Sequence, residues 1–448
     1  MAREEAAVGP ETVARGMNRG HFALLFAAML VAAAGNTALQ SVMPAIGREL
    51  RLSDLWVSIA YTWSALLWVV LAPTWARMSD TRGRKPLVLM GVGAFVVSMA
   101  LCGLVLWAGL EGAIGGTATL VLFALCRAIY GALGSATPSA VQAYVASRTS
   151  RAERTGALSA VASSFSLGTI VGPALAPLLV LPLVGFSGPV LGFSAAALVV
   201  TLLIWRRLPN DAPDHADADR GRGAAMSYPS LATPPTGASV VAATAERPSA
   251  RLSWRDRRIL PWLAAGAVAG HAQAATLTPI GFLVIDRLEA SPRAAQPLIG
   301  IVMMAGAAVT LLAQWGLIPR LKLSPRGLIL WGAGVAAAGL IVNGLAPDLY
   351  GITMGFALAS LGFGLARPGF TSGASLAVPQ SEQGAVAGMV TATNGLAFIA
   401  APALGVWLYG LWRPLPYISA ATLCLGLIAW GWQGLRVASR PVAGASPG

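Results

Sequence analysis

The stretch ARMSDTRGRKPLVLMG, residues 76–91, decides the fold class because it is a charged loop between two long apolar runs. The run before it covers residues 56–76 and the run after it covers residues 87–108. Each is close to the roughly 20 residues that a helix needs to cross the hydrocarbon core of a bilayer. We therefore predict two transmembrane helices joined by a tight polar loop.

The same alternation of apolar run and polar loop continues in both directions along the 448 residues. Charged residues make up only 11% of the chain, whereas a soluble domain carries about a quarter. We predict an all-α integral membrane protein with twelve transmembrane helices. Their approximate spans are 21–46, 56–76, 87–108, 117–146, 155–180, 183–205, 259–285, 295–318, 327–346, 349–375, 383–409 and 414–435.

The basic residues indicate the orientation of these helices. With both termini in the cytoplasm, 24 of the 31 Lys and Arg residues fall in cytoplasmic segments. Arg127 and Arg367 lie within spans, and the outer loops hold Arg48, Arg51, Arg287, Arg293 and Arg413. This distribution follows the positive-inside rule and predicts a multi-pass protein of a bacterial-type inner membrane. The net charge of +13 therefore does not indicate a nucleic-acid partner, which would need a basic face on a soluble domain.

The chain is predicted to consist of two related halves. Residues 153–175 align with residues 382–404 at a constant offset of 229, with seven of 23 positions identical. Such parallel repeats are typical of transporters, and they predict two pseudo-symmetric six-helix bundles around a central pathway. The predicted units are a cytoplasmic N-terminal segment 1–20, a first bundle 21–205, a flexible cytoplasmic linker 206–258, a second bundle 259–435 and a cytoplasmic tail 436–448. The linker is predicted from its Pro, Gly, Ser and charged residues.

Several chemical functions are not supported by the sequence. The three cysteines lie in apolar runs without metal-ligand spacing, and no histidine begins a His-Glu-x-x-His motif. Neither lysine follows a glycine, so there is no Walker A loop for an ATP-driven pump. We expect no enzymatic activity, no cofactor and no metal.

The loop of residues 76–91 resembles the signature between the second and third helices of the major facilitator superfamily. Asp80, Gly83, Arg84, Lys85 and Leu87 match that signature, whereas Ala76 and Thr81 depart from it. The resemblance implies a gating motif of Asp80, Gly83, Arg84 and Lys85 that clamps helix ends while the cytoplasmic side is closed. The alternative is an ordinary positive-inside loop.

The fourth span contains CRAIYGALGSATPSA, residues 126–140, with Arg127 inside a hydrophobic helix. A charge at this depth is expensive and usually functional or paired. Arg127 and the small residues after it resemble the superfamily's fourth-helix motif, although Tyr130 stands where glutamine is usual. The resemblance implies a role in proton coupling. The alternative is structural, with Arg127 reaching the outer interface or binding a carbonyl.

The fifth span contains LGTIVGPALAPLL, residues 167–179, which resembles the antiporter motif of the same superfamily. Gly168, Gly172 and Pro173 match, and Ala176 and Pro177 replace a final glycine pair. Two glycines four residues apart allow close helix approach, and the prolines bend the helix. The motif implies export and makes the twelve-helix drug:proton antiporters the most similar branch.

The proton site is left open by the sequence. The chain has Asn36 in the first span, where many proton-coupled exporters carry an acid, and no Asp or Glu in the middle of any predicted span. Asp286 and Glu289 fall outside the spans. His271 is the titratable side chain deep in a span, and histidine can exchange a proton near neutral pH. A neutral histidine hydrogen-bonded within the bundle is the alternative.

We predict a substrate cavity lined by polar and aromatic residues of spans 1, 2, 4, 5, 7, 8, 10 and 11. The substrate-cavity candidates are Asn36, Gln40, Tyr61, Tyr130, Phe165, Gln273, Met303, Arg367 and Asn394. A neutral cavity rich in Met and aromatic side chains would suit amphipathic compounds. The leading hypothesis is a monomeric secondary transporter that expels such small molecules in exchange for protons. The alternatives are a metabolite or sugar importer, an uncoupled facilitator, and a membrane scaffold or receptor without transport.

Overall fold

The computed structural model describes residues 17–149, 151–210, 252–379 and 382–435. Regular structure in these ranges is helical, apart from one isolated bridge between Leu181 and Gly185. Eleven helices among these residues are long and apolar enough to cross a membrane. Most of the predicted linker, most of the N-terminal segment and the whole C-terminal tail lie outside the described residues.

The first half contains six helical spans, each of which begins and ends close to its predicted bounds. They are span 1 (Arg19–Glu49), span 2 (Asp54–Arg82), span 3 (Arg84–Leu110), span 4 (Gly116–Leu133 and Ala136–Ser147), span 5 (Arg151–Leu175) and span 6 (Gly188–Arg207). Span 5 is not one of the eleven helices that are long and apolar enough to cross a membrane. It nevertheless packs along span 1 as a twelfth helix. It begins with Arg151, Glu153 and Arg154, which make its first turn polar.

The second half contains the other six spans. They are span 7 (Leu260–Leu277 and Ile280–Leu288), span 8 (Pro292–Leu311, a π-helical turn Leu312–Leu317 and Ile318–Leu321), span 9 (Pro325–Leu345), span 10 (Leu349–Leu376), span 11 (Gln383–Leu411) and span 12 (Leu415–Gly434). Span 7 is divided at Pro279, because proline has no N–H and favours the start of a new helical segment over the interior of an old one.

Corresponding helices pack against each other in the same way in both halves. Span 1 contacts spans 5 and 6, as span 7 contacts spans 11 and 12. Span 2 contacts span 4, and span 8 contacts span 10; span 3 contacts span 6, and span 9 contacts span 12. The prediction of two six-helix bundles is confirmed.

The two halves meet along four helix pairs. Span 1 contacts span 8 and the second segment of span 7, span 2 contacts span 11, and span 5 contacts span 8. We name the face at which span 1 begins the inner face and the opposite one the outer face, following the predicted orientation. The helix pairs at this boundary surround the cavity described below.

The surface of the helical body is apolar, as a lipid-facing surface must be. Val70, Leu104 and Trp331 are all more than half exposed although they lie within spans. Trp56 and Trp205 lie near span ends and are also exposed, which matches the aromatic belts of membrane proteins. In a soluble protein so much exposed apolar surface would mark binding sites or aggregation. These side chains therefore fit a multi-pass membrane protein.

Candidate functional site

A cavity lies between the two halves, and the space within it, counted together with the open solvent at its mouth, is about 720 Å³. Residues of spans 1 and 2 line one side of it. Residues of spans 7, 8 and 11, including those at the break in span 7, line the other side. The first group is Gln40, Met43, Pro44, Val57, Tyr61 and Ala65, and the second is Leu277, Thr278, Ile280, Gly281, Phe282, Ile299, Met303, Phe398 and Pro402.

The wall of this cavity is mostly apolar, with a few polar atoms. Methionine and aromatic side chains from both halves face each other across it. The amide oxygen Oε1 of Gln40 is buried and accepts no hydrogen bond among the described residues. A buried polar atom of this kind is usually satisfied by a partner, so Gln40 can receive a donor group from a bound molecule. The cavity therefore suits an organic compound with a large apolar part and a hydrogen-bond donor.

Three of the predicted cavity residues, Gln40, Tyr61 and Met303, are in this lining. Asn36, Tyr130 and Phe165 are instead buried within the first half. Asn394 is 6% exposed on span 11, Gln273 lies on span 7 and Arg367 lies on span 10, and none of the three is among the lining residues. A role of these six residues in substrate binding stays a prediction.

The lining also includes residues that the sequence analysis did not select, namely Pro44, Phe282, Phe398 and Pro402. They are apolar, and in a chain that is 56% apolar such residues carry no individual signal. The sequence does distinguish Pro402 from the other three, because the repeat offset of 229 pairs it with Pro173 of the antiporter-like motif.

Arg127 lies behind the cavity wall and is only 1% exposed. Its Nη2 donates a hydrogen bond of 3.0 Å to Oδ1 of Asn36 on span 1. The guanidinium carbon lies 5.3 Å from the ring centre of Tyr130 and 5.9 Å from that of Tyr61. A cation over an aromatic face is stabilised by the ring quadrupole. Tyr61 thus separates the buried charge from the cavity that it lines.

Asn36 holds this cluster to the first helix. Its Nδ2 donates to the carbonyl oxygen of Ala32 at 2.8 Å and to the hydroxyl of Tyr130 at 3.2 Å. Oγ of Ser64 on span 2 donates to the backbone carbonyl of Arg127 at 3.1 Å. Spans 1, 2 and 4 are therefore connected through one polar cluster in an otherwise apolar bundle.

The antiporter-like motif of span 5 makes two different contacts. A Cβ added at Gly168 would lie 2.5 Å from the carbonyl oxygen of Leu30, so the glycines allow backbone contact with span 1. On the other side, a Cβ added at Gly300 of span 8 would lie 3.0 Å from the carbonyl oxygen of Pro173. The motif therefore packs span 5 within its own half and also touches the opposite half.

The loop between spans 2 and 3 is turned by Gly83, whose φ of 89° is readily accessible only to glycine. Nζ of Lys85 donates a hydrogen bond of 3.0 Å to the carbonyl oxygen of Trp205 at the inner end of span 6. The side chain of Asp80 lies outside the described residues, so the predicted clamp stays a prediction.

His271 is half-buried on span 7. Its Nδ1 lies 2.7 Å from the carbonyl oxygen of Ala267, one turn earlier on the same helix. A carbonyl can only accept, so Nδ1 carries a hydrogen and Nε2 is the atom that can gain a proton. This geometry is compatible with both roles that the sequence left open.

The outer ends of the two halves are joined by ion pairs. Nη2 of Arg48 on span 1 lies 2.7 Å from Oδ2 of Asp54 and 3.0 Å from Oδ2 of Asp286 on span 7. The hydroxyl of Tyr409 on span 11 donates to the same oxygen of Asp286 at 2.7 Å. Asp286 lies within the second helical segment of span 7 and its side chain is 12% exposed. The sequence predicts Asp286 just outside span 7, because the apolar run ends at residue 285.

At the inner face, Arg258 joins the start of span 7 to the start of span 11. Its Nη2 lies 2.7 Å from Asp256 and 3.0 Å from Glu382. The hydrogen bonds from Arg258 lower the pKa of Asp256 and raise the pKa of Arg258. Both groups are therefore ionised at neutral pH, and this pairing stays within the second half.

Comparison with known proteins gives the class of the protein. The family model of the Major Facilitator Superfamily matches residues 25–371, which is most of the chain. The chain belongs to this superfamily, whose members are membrane transporters and not enzymes.

Individual relatives match over shorter stretches. The staphyloferrin B transporter of Staphylococcus aureus is 27% identical over 193 residues, which is 41% of this chain and 40% of that protein. The multidrug resistance protein MdtG of Proteus mirabilis is 26% identical over 176 residues, 38% of this chain and 40% of that protein. The matched stretches thus span about two fifths of each relative.

A solved structure with the same fold is a partially occluded, inward-open conformation of the xylose transporter XylE from E. coli. It superposes with a TM-score of 0.62 at 13% sequence identity and covers 92% of this chain and 96% of that chain. At this identity the likeness shows the fold alone.

Proposed function

We propose that this protein expels amphipathic organic compounds from the cell in exchange for protons. The observation that carries the proposal is the largely apolar cavity between the halves, next to an antiporter-like motif that contacts both halves. A drug-sized ligand is bound in such cavities by apolar contact, with a few polar atoms that fix its orientation. The proposal also draws on the relative MdtG, whose name describes multidrug resistance.

Transport follows from the two-half architecture. The halves rock about the central cavity, which is open to one face at a time. A proton drives the cycle only if it binds the two states with different affinities. Arg127, at the back of the cavity wall, and His271, on span 7, are the proposed coupling residues within the spans. Asp80, Gly83, Arg84 and Lys85 are the proposed inner gate.

The cellular placement is part of the same proposal. We infer that both termini are cytoplasmic, that the membrane is the inner membrane and that the protein works as a monomer. Residues 206–258, most of which lie outside the described residues, then connect the bundles 21–205 and 259–435. The positive-inside distribution of Lys and Arg supports this orientation.

Expression of the protein in an efflux-deficient bacterium is expected to reduce accumulation of a lipophilic fluorescent dye. The physical reason is that an apolar cavity between rocking halves can collect such a compound from the inner side. In proteoliposomes, an imposed gradient of about one pH unit should raise the accumulation of dye against its own gradient by up to about tenfold, because roughly 60 mV acting on one exchanged proton corresponds to a tenfold concentration ratio. Dye fluorescence inside the cells and vesicles is the measurement.

The control is a matched vesicle population in which an ionophore abolishes the gradient. Dye transport that ignores the gradient would contradict proton coupling. Accumulation of substrate by energised cells would instead identify the protein as an importer. If the dye does not quench the tryptophan fluorescence of the protein, it does not bind, and this result would contradict amphipathic organic compounds as the substrate class.

Replacing His271 by alanine is expected to flatten the pH dependence of transport, because histidine can carry a coupling proton. Nδ1 is held by the carbonyl oxygen of Ala267, which leaves Nε2 as the atom available for that proton. Initial transport rates at several pH values, compared with the wild-type protein, are the measurement. Unchanged pH dependence in His271→Ala would remove this residue from the coupling mechanism.

A further inference from the structure

Two prolines interrupt the helices that form opposite sides of the cavity. Pro44 lies inside span 1 and Pro402 lies inside span 11, and both line the cavity. Proline has no backbone N–H, so the carbonyl oxygen four residues earlier loses its usual hydrogen-bond donor within the helix. These earlier residues are Gln40 and Phe398. Each proline therefore leaves one backbone carbonyl oxygen available to accept a hydrogen bond.

Both carbonyl groups lie on the cavity side of their helices. Residues four positions apart share one face of an α-helix, and the carbonyl of the first is directed along the axis toward the second. Gln40 and Phe398 line the cavity together with Pro44 and Pro402. The carbonyl group between each such pair is therefore at the cavity wall. One belongs to the first half of the protein and the other to the second.

Two other prolines near the boundary between the halves do not add an acceptor to the cavity. Pro279, at the break in span 7, releases the carbonyl oxygen of Ala275, but a Cβ added at Gly405 of span 11 would collide with that oxygen. The backbone of span 11 thus covers it. Pro173 of span 5 releases the carbonyl oxygen of Thr169, and neither residue lines the cavity. The effect on the cavity wall is therefore specific to the prolines of spans 1 and 11.

The side chain of Gln40 adds a third acceptor. Its Oε1 is buried and accepts no hydrogen bond among the described residues, so Gln40 offers one backbone and one side-chain oxygen. The hydroxyls of Tyr61 and Thr278, also in the wall, can donate or accept. No Asp, Glu, Lys or Arg is among the described residues that line the cavity. The polar part of the wall is therefore dominated by neutral oxygen acceptors.

We propose that the cavity selects compounds with N–H donors on an apolar body, and that Pro44 and Pro402 set this selectivity. A buried oxygen that exchanges water for a ligand needs a donor from that ligand, and the lack of one weakens binding. An N–H group supplies the donor, whereas a fully alkylated nitrogen does not. Because the two carbonyl oxygens belong to opposite halves, a ligand with two N–H groups can bind both halves at once. This inference rests on the proposed function and names the chemistry of the polar part of its substrates.

The test compares two fluorescent rhodamine ethyl esters that differ only in their amino groups. One carries N-ethylamino groups, each with an N–H, and the other carries dimethylamino groups, which have none. These groups are isomers, so the two dyes have the same charge and the same number of atoms. Quenching of the tryptophan fluorescence of the purified protein gives the dissociation constant of each dye. The ratio of the two constants separates recognition of the N–H groups from apolar and charge contributions.

The dye with N–H groups is expected to bind the wild-type protein about tenfold more tightly, which corresponds to about 1.4 kcal/mol. Pro402→Ala supplies an N–H that can bond to the carbonyl oxygen of Phe398 within span 11. It should therefore weaken binding of this dye about threefold and leave binding of the dimethylamino dye unchanged. Pro44→Ala should act in the same way on the carbonyl oxygen of Gln40. Gln40→Leu should lower the ratio by removing the side-chain acceptor.

Pro368→Ala in span 10 is the matched control. Pro368 also lies inside a helix, but neither it nor Gly364, four residues earlier, lines the cavity. The ratio for this variant should equal that of the wild-type protein. The ring of Pro44 also packs against Gly281 of span 7, because a Cβ added there would collide with it. If Pro44→Ala fails to fold for that reason, Pro402→Ala decides the question.

Equal binding of the two dyes to the wild-type protein would overturn this inference and leave efflux of amphipathic compounds intact. A ratio that is unchanged in Pro402→Ala would overturn the role of the proline. Equal weakening of both dyes in that variant would also overturn it, because the proline would then act through packing or helix shape. If neither dye binds the wild-type protein, the proposed substrate class is wrong and this inference is overturned with it.

Discussion

Gly172→Leu is expected to prevent the protein from folding into a stable transporter. A Cβ at position 172 would collide with the carbonyl oxygen of Ala34 and the hydroxyl of Thr37, and it would lie 2.9 Å from the amide nitrogen of Ala38. Backbone atoms of span 1 cannot move aside as a flexible side chain can. Overpacking of this kind costs about 1–3 kcal/mol for a few methylene groups, so a whole leucine side chain should exceed that range.

The measurement is the amount of monodisperse protein in detergent and its apparent unfolding temperature. Gly426→Leu in span 12 is the matched control, because a Cβ there meets no atom within 4 Å. Gly172→Ala should lower the yield of monodisperse protein and the unfolding temperature by less than Gly172→Leu does. If Gly172→Leu and Gly426→Leu unfold at the same temperature, spans 1 and 5 are not in backbone contact at this position.

Most of the fold followed from the sequence because transmembrane helices obey two strong constraints. A helix must be long enough to cross the bilayer, and its charged flanks must stay outside the hydrocarbon core. The loop around Gly83, for example, fixes the boundary between spans 2 and 3 to within a few residues. The division of span 7 at Pro279 was not predicted, because the run from residue 259 to residue 285 is apolar on both sides of the proline.

The candidate site was less predictable because the sequence does not say which face of a helix meets the opposite half. Gln40 and Tyr61 were selected as polar residues in spans 1 and 2, and both line the cavity. Tyr130 was selected on the same grounds, but it is buried among Trp68, Phe95 and the guanidinium of Arg127. Residue type alone therefore does not distinguish a tyrosine that lines the cavity from one that is buried within a half.

Asp286 shows a different limit of sequence reasoning. Its position near a predicted span end suggested a solvated residue, yet Arg48 of span 1 and Tyr409 of span 11 contact its carboxylate, and its side chain is only 12% exposed. The burial depends on helix ends from both halves that are distant in sequence. A search restricted to the middle of each span therefore misses carboxylates enclosed between the halves.

Arg127→Met is expected to leave the protein folded but to reduce proton-driven transport by a factor of about a hundred. Methionine fills most of the same volume, and it removes the desolvation cost of a buried charge, which offsets part of the lost hydrogen bonding. Oδ1 of Asn36 loses its donor, and the rings of Tyr61 and Tyr130 lose the cation between them. A factor of a hundred corresponds to about 2.7 kcal/mol, within the range for a buried hydrogen-bonded charge.

Arg127→Lys and Asn36→Leu distinguish a functional charge from a structural one. Lysine keeps the positive charge but cannot reproduce the planar contacts of the guanidinium, so transport should recover only in part. Asn36→Leu keeps the arginine and removes the hydrogen bond of 3.0 Å, which should lower the unfolding temperature more than Arg127→Met does. The measurements are dye transport under a pH gradient and thermal unfolding of each variant. If Arg127→Met transports normally and only its stability changes, the guanidinium is a packing element of spans 1, 2 and 4. Proton coupling would then have to be sought at His271 on span 7.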